Sequence, residues 1–452
     1  MNRRNFLELT AAAAALPASA AAAQTVKPKR PNLLLIMTDQ QSHTAWSGAR
    51  NPWLSTPAMD SLAASGTVFE EACCNYPVCS PSRGSIFTSR LPHETGVMTN
   101  GKGILPSIPT MGEIFRAAGY RTAYAGKWHL PKSFDGMTAF EKIAGGSNLG
   151  AAMDAPVADA CVNYLRQAKD ATEPFLLVAS FMNPHDICDW IRQHPGARDH
   201  PKRFTYPPAP VNLVADPLEP EAMQFHRTAG YDLMSQALGI ASQWMRDDFR
   251  LYLNDYYRMV EAVDREIGRL LAELRSTGLD RDTVIVFTSD HGEGLGGHRW
   301  VQKASFYEES VHVPFIVSGP GILAGRRTGD LISLMDILPT FCDLAGIKPP
   351  EGARGISLRP ALEGKSQPRE HVASHLRFDS AAREGRMIRT PRYKYIAHNS
   401  GKRAEQLFDL LTDPGETRNL VNDEGAKPVL RHHRALLQSE LLRTKDAFVP
   451  AL

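Results

Sequence analysis

Leu33-Leu34-Leu35-Ile36-Met37-Thr38-Asp39 is an unbroken apolar run that stops at a carboxylate. Such a run lacks the alternation of a half-solvated strand. It predicts a strand buried on both faces, as in a largely parallel sheet covered by helices. Three further runs repeat the pattern: Thr122-Ala123-Tyr124-Ala125 before Gly126-Lys127, Phe175-Leu176-Leu177-Val178-Ala179-Ser180-Phe181 shortly before His185, and Thr283-Val284-Ile285-Val286-Phe287-Thr288 before Asp290-His291. Ligands in such sheets gather outside the carboxyl ends of the strands. Residues capable of chemistry stand at those ends four times over.

Helical signals fall between the runs. Thr56-Pro57, with Met59 and Leu62 following and Gly66 after, carries start and stop signals. Thr110-Met111-Gly112-Glu113 is a capping box ahead of Ile114, Phe115 and Ala118. Residues 247–275 read as a long amphipathic helix, with Leu251, Tyr256, Val260, Val263, Ile267, Leu270 and Leu271 at roughly helical spacing. Alternating strands and helices imply an α/β core, a central mostly parallel sheet with helices on both faces. The proline-rich stretch from Asn183 to about Met223 has little periodicity and reads as a long loop or lid. Pro349-Pro350-Glu351-Gly352 marks a break. Beyond it, Met387-Ile388-Arg389 and Tyr393-Lys394-Tyr395-Ile396 predict antiparallel strands, Gln406-Leu407-Phe408-Asp409-Leu410 leads into the turn Asp413-Pro414-Gly415-Glu416, and 429–442 is a closing helix, together a smaller α+β subdomain with an antiparallel sheet. The division expected is a leader over 1–23, a catalytic α/β domain over 24–348 and the C-terminal subdomain over 349–452.

The chain has 452 residues, with 51 Lys and Arg against 49 Asp and Glu, a net charge of +2. That balance gives no reason to expect a nucleic-acid binder, and no stretch is long and apolar enough to span a bilayer. Asn2-Arg3-Arg4-Asn5-Phe6-Leu7 precedes an Ala-rich apolar run ending at Ala23, with small residues at a cleavage point. This resembles a twin-arginine signal peptide and implies export to the periplasm or beyond by the twin-arginine machinery. The six cysteines, Cys73, Cys74, Cys79, Cys161, Cys188 and Cys342, lack the spacing of a zinc site or a dense disulfide framework.

Cys79-Ser80-Pro81-Ser82-Arg83 resembles the signature of the type I sulfatases, members of the alkaline phosphatase superfamily. The likeness continues through Gly84, Ser85, Thr88, Arg90-Leu91-Pro92-His93 and Gly96-Val97, with Ser89 departing from the family's usual glycine. It covers nearly the whole chain from Arg30 to Leu420 and implies an alkaline-phosphatase-like α/β fold. Pro81 suits the first turn of a helix, which would seat Cys79 at an N-terminus whose amide dipoles favour an anion. In that family the cysteine is converted by a maturation enzyme to formylglycine, an aldehyde that hydrates to a geminal diol. A thiolate that attacked sulfur could not easily shed the sulfonate it gained. A diol oxygen can, because deprotonating its twin hydroxyl re-forms the aldehyde and expels sulfate.

Asp39, Gln40, Asp290 and His291 follow two of the apolar runs. Taken singly, each is the kind of residue that ends a strand in a turn. Together with Cys79 they resemble the family's ligand set for one divalent cation. Oxygen-dominated ligands suit a hard ion, with Ca²⁺ the first choice and Mg²⁺ or Mn²⁺ the alternatives. Gln40 and His291 stand where many members have an acid and an asparagine, a pattern shared with choline-sulfatase-like and phosphonate-hydrolase-like enzymes. The resemblance further assigns Arg83 and Lys127 to steadying the diol and His129 to the proton whose removal releases sulfate. His185 and Lys303 are assigned to the sulfate and the departing oxygen, a role that suits a histidine. Glu293 reads as a supporting or turn residue.

The alcohol half of the substrate needs other residues. Trp190, Arg192 and Arg299 are the main candidates; His194, His200, Lys202, Arg203, Asn100 and His93 are weaker ones, and His298, in the loop that carries Lys303, reads as a lesser site residue or a structural one. The expected activity is hydrolysis of a sulfate monoester, by analogy a carbohydrate sulfate or other sulfated small molecule. The rivals are a phosphonate or phosphodiester hydrolase built on the same machinery, and an inactive sulfoglycan-binding protein.

Overall fold

The computed structural model describes residues 30–130, 139–146, 149–195, 205–230, 232–365, 367–378 and 383–451. The leader expected over 1–23 lies outside the described residues, as do His200, Lys202 and Arg203.

Eight strands form the principal sheet: β1 (Asn32–Asp39), β2 (Gly66–Cys73), β3 (Arg121–Gly126), β4 (Glu141–Ala144), β5 (Phe175–Pro184), β6 (Thr283–Ser289), β7 (Phe315–Ser318) and β8 (Arg326–Ser333). Their order is β4-β3-β5-β1-β6-β7-β2-β8. All pairings are parallel except those of β7, which runs against both neighbours. The four apolar runs become β1, β3, β5 and β6, four adjacent strands. Every residue of β1, β5 and β6 is buried. The register carries Asp39 opposite Pro184 and Thr38 opposite Ser289. The residues that follow β3, β5 and β6 therefore emerge beside Asp39 at one edge of the sheet.

Helices cover both faces. The 31-residue helix Arg246–Ser276 turns a buried stripe of Phe249, Tyr252, Tyr256, Val260, Val263, Ile267, Leu270 and Leu274 inward. It packs on β5 and on the helices Pro57–Ser65 and Gly150–Ala168. Its Asp264 accepts the backbone N–H groups of Ala58 and Met59 at 3.1 and 2.9 Å, capping the first of these. Two of the orphan donors at that helix start are thereby satisfied.

A second sheet, in the order β12-β11-β10-β9, is antiparallel throughout: β9 (Val372–Arg377), β10 (Glu384–Arg389), β11 (Tyr393–His398) and β12 (Glu405–Asp409). One face contributes Leu376, Met387, Ile396 and Phe408 to the main core. The other packs Ile388, Tyr395 and Leu407 against Leu430, Leu436 and Leu437 of the closing helix Lys427–Thr444. The proline-rich stretch is not wholly loop. Ile187–Gln193 and Glu221–Ala229 are helical, because Ile187, Cys188 and Ile191 in one and Ala222, Met223 and His226 in the other can be buried together on one side. Among the described residues no helix is long and apolar enough to cross a membrane.

Candidate active site

Cys79 opens the helix Cys79–Thr88, every residue of which is buried. The Ser80 N–H at this N-terminus donates to the Asn100 side chain at 3.0 Å. From there the Cys79 Sγ looks across the ends of β1, β3 and β6. It lies 3.2 Å from His291 Nε2, 3.2 Å from Lys303 Nζ, 3.7 Å from Lys127 Nζ and 3.7 Å from Asp39 Oδ1. The imidazoles of His129 and His185 also reach the thiol. Burial alone would raise the thiol's pKa; the charges of Lys127, Lys303 and His291 outweigh it and hold the pKa well below its ordinary value. The pocket is built to stabilise negative charge at position 79.

Arg83, one turn along the helix, holds the two acids together. Its Nε donates to Asp290 Oδ2 at 2.7 Å and its Nη2 to Asp39 Oδ2 at 3.0 Å, while Nη1 donates to Ser180 Oγ at 2.9 Å. Lys127 Nζ makes a second ion pair with Asp39, at 2.7 Å. Burial pushes the Asp39 carboxyl upward, but Lys127, His185 and Arg83 bring it down and keep it ionised.

Asp39, Cys79, Asp290 and His291 present four buried donor atoms within 4.8 Å of one another. His291 Nδ1 sits 2.8 Å from the Gly292 carbonyl. With Nδ1–H donating there, the Nε2 lone pair faces the cluster, the orientation a metal-bound imidazole needs. Two carboxylates, an imidazole nitrogen and the group at 79 thus fit one divalent ion. Gln40 lies next to this set with its amide oxygen accepting from Lys303 Nζ at 2.7 Å. Its Nε2 donates to the buried carboxylate of Glu293, which also accepts from Tyr252 OH and the Gln302 N–H. Glu293 is therefore a hydrogen-bonding hub that fixes which end of the Gln40 amide faces inward. Gln40 and His129 both adopt left-handed backbone, at φ 71 and 58, a conformation that non-glycine residues hold only when their surroundings demand it.

His185 is positioned through its chain neighbours. Asp154 accepts the Met182 and Asn183 N–H groups at 2.7 and 3.1 Å, and Asp186 accepts those of Gly150 and Ala151 at 2.7 and 2.9 Å. The end of β5 is tied on both sides to the start of the helix Gly150–Ala168. Burial, with Lys127 and Lys303 nearby, lowers the His185 pKa to about 4.

His129, His185, Cys188 and Lys303 line a cavity of about 560 Å³ together with Tyr76, Val78, Thr99, Asn100, Arg192, Asp232, Leu233, Met234, Gln302, Arg377 and Phe378. Arg192 and Asn100 are the expected substrate residues that reach it. Trp190 does not: its Nε1 donates to Asp255 at 2.6 Å and its ring stacks on His194 at 3.7 Å. Arg299 does not either, since its Nη2 serves the carbonyls of Ser242 and Trp244 at 3.1 and 2.8 Å and its guanidinium lies over Phe249. An aromatic and a cation in loop sequence were indistinguishable from wall residues until packing showed them bracing the fold. His298 is likewise structural, bonded to the Gly415 carbonyl at 3.0 Å and stacked on Tyr307. His93 stands in a different cluster, with His375 and Asp446. Arg377 and Phe378 are lining residues that the sequence reading missed; they arrive from β9, far along the chain, and no local motif marks them. All six cysteines are buried and free.

Known proteins resemble this chain over most of its length. The sulfatase family matches residues 31–347, and the C-terminal region of N-sulphoglucosamine sulphohydrolase matches residues 296–444. A Delta 4,5-hexuronate-2-O-sulfatase of Bacteroides thetaiotaomicron is 33% identical over 457 residues, covering 96% of this chain and 92% of that protein. An ulvan-active sulfatase of Formosa agariphila is 31% identical, covering 94% and 84%. Among solved structures, a 2-O GAG sulfatase superposes with a TM-score of 0.84 at 30% identity, over 92% of this chain and 93% of that one.

Proposed function

The chain belongs to the sulfatase family and is a sulfuric ester hydrolase; from that premise we propose that it removes sulfate from a carbohydrate, using Cys79 matured to formylglycine and one divalent cation held by residue 79, Asp39, Gln40, Asp290 and His291. The observation that carries this reading is the setting of the Cys79 Sγ. Two ammonium groups lie within 3.7 Å of it and the carboxylate–imidazole set lies beside it. A structural buried cysteine has no use for that much positive charge. The glycan specificity of the relatives supports a saccharide sulfate as substrate.

When hydrated, the aldehyde supplies one hydroxyl oxygen to take the sulfuryl group and a twin hydroxyl whose deprotonation expels sulfate, and water restores the hydrate. When bound, the cation lowers the pKa of a hydroxyl at residue 79 and polarises the sulfate oxygens; Ca²⁺ suits the oxygen-rich set, with Mg²⁺ or Mn²⁺ as alternatives. The chain's own residues do the rest. Arg83 holds Asp39 and Asp290 aligned through one guanidinium. Lys127 and Lys303 take the negative charge of the sulfate on either side of residue 79. His129 removes the proton of the twin hydroxyl. His185 is placed to donate a proton to the departing alcohol oxygen; burial first, and Lys127 and Lys303 second, lower its pKa in the free enzyme, and a sulfate seated between the lysines offsets the second of these. The Arg3-Arg4 leader supports export through the twin-arginine machinery after maturation by a formylglycine-generating enzyme.

Two measurements test the reading together. Mass analysis of the peptide carrying residue 79, from a maturation-competent host, should show aldehyde in place of thiol. That material should turn over an aryl sulfate faster than an aryl phosphodiester. Unaltered thiol with full activity would overturn the mechanism. The reverse preference would assign the site to phosphodiesters or phosphonates.

A further inference from the structure

The residues given roles above account for only part of the cavity lining. Arg377, at the end of β9, lines the same cavity without such a role. We propose that Arg377 is a specificity residue that binds a second anionic group of the substrate, a carboxylate or a further sulfate on the saccharide; this rests on the sulfatase reading and narrows it.

The geometry is that of a guanidinium held in place. Nε and Nη2 of Arg377 donate to Glu384 Oε1 at 2.7 and 2.5 Å. The other oxygen of Glu384 accepts from Arg386 Nη2 at 3.0 Å. Arg386, itself buried, forks onto Asp446 at 2.7 and 3.1 Å. The Arg377 backbone N–H is pinned to Tyr76 OH at 2.7 Å. One edge of the fork is thus fixed, while Nη1 has no partner among the described residues. Glu384 is shared between the two guanidiniums and Arg386 is also held by Asp446, so what Arg377 offers a ligand is the unfilled donor edge at Nη1. A planar guanidinium with a free edge matches a carboxylate or sulfate oxygen better than a hydroxyl. Because the group is already ordered, little side-chain entropy is lost on binding. Arg192, the other guanidinium in the wall, is a poorer reader. Its side chain is 41% exposed and leans on Asp189 of its own helix, against 26% for Arg377.

The test compares matured parent, R377A and R377K on three sulfates: an uncharged aryl sulfate, a 2-O-sulfated hexuronate disaccharide and a disulfated glucosamine. In R377A the ratio of kcat/KM on the anionic saccharide to that on the aryl sulfate should fall about tenfold or more, mainly through KM. R377K should recover part of it. Loss confined to the uronate identifies a carboxylate as the partner, and loss confined to the glucosamine identifies a second sulfate. An equal loss on all three substrates, or none, overturns the proposal. Calorimetric binding of the same saccharides to C79A and to C79A/R377A reads the contact without turnover, and about tenfold weaker binding in the double variant is expected. Should the matured parent cleave none of the three, the sulfatase reading fails, while the binding comparison still decides the fate of Arg377.

Discussion

Arg83 and Cys79 sit one helical turn apart and divide the work of position and chemistry. C79A should lower turnover by about 10⁴-fold or more, because no other group can take and release the sulfuryl unit. Its circular dichroism and unfolding midpoint should stay near those of the parent, since only one small side-chain group is lost; residual turnover near the parent rate would remove Cys79 from the mechanism. Arg83 is different. Its side chain is completely buried between two completely buried carboxylates. R83M would leave Asp39 and Asp290 without their shared partner, at a cost of about 3–5 kcal/mol. Denaturant unfolding checks this, and a loss below about 1 kcal/mol would show that Lys127 suffices. These residues were legible in the sequence because each belongs to a contiguous motif. Arg377 was not: its role depends on Glu384, Arg386 and Asp446, three partners that only the folded chain brings together.

At the scale of elements, the strand ends aim the chemistry. Gly126 closes β3 with φ +99, and a Cβ there would stand 1.9 Å from the Ser180 carbonyl oxygen of β5. Only glycine allows the two strands to converge before Lys127 turns to Asp39. G126A should therefore destabilise the protein by about 2–3 kcal/mol through overpacking and backbone strain. Its kcat should also fall more than stability explains, because Lys127 moves with the strand end. Thermal unfolding and kinetics on the same preparation separate the two effects, and unchanged kcat in the folded fraction would show that Lys127 is placed independently of Gly126. The four runs ending in functional residues were readable as strands because their burial on both faces demands continuous apolar sequence. Strands β2, β7 and β8 escaped that reading for physical reasons. β7 is only four residues long, β2 carries Glu70 and Glu71, and β8 is an edge strand whose first five residues are not fully buried.

Across the whole molecule, the principal sheet supplies the charge at residue 79 and the small sheet supplies a wall of the cavity. The closing helix fastens that small sheet. Glu440 of the helix accepts from Arg443 at 2.6 Å and approaches His371, just before β9, at 3.5 Å. Burial pushes the Glu440 carboxyl up, yet the hydrogen bonds from His371 and Arg443 outweigh it and set the pKa at about 2, against an ordinary 4.5. A carboxyl depressed on folding contributes its full stability above about pH 4.5. It loses that contribution as pH falls towards 2, because the unfolded chain binds the proton first. The ceiling from this shift is about 3 kcal/mol. E440Q should therefore be less stable than the parent at neutral pH, by up to that amount. Its stability should also decline less steeply between pH 4.5 and 2, so that the two curves converge at the acid end. Denaturant unfolding across that range makes the comparison. Curves that stay parallel would show that Glu440 titrates alike in the folded and unfolded chain and that the helix is fastened by its apolar face, Leu430, Leu436 and Leu437, alone.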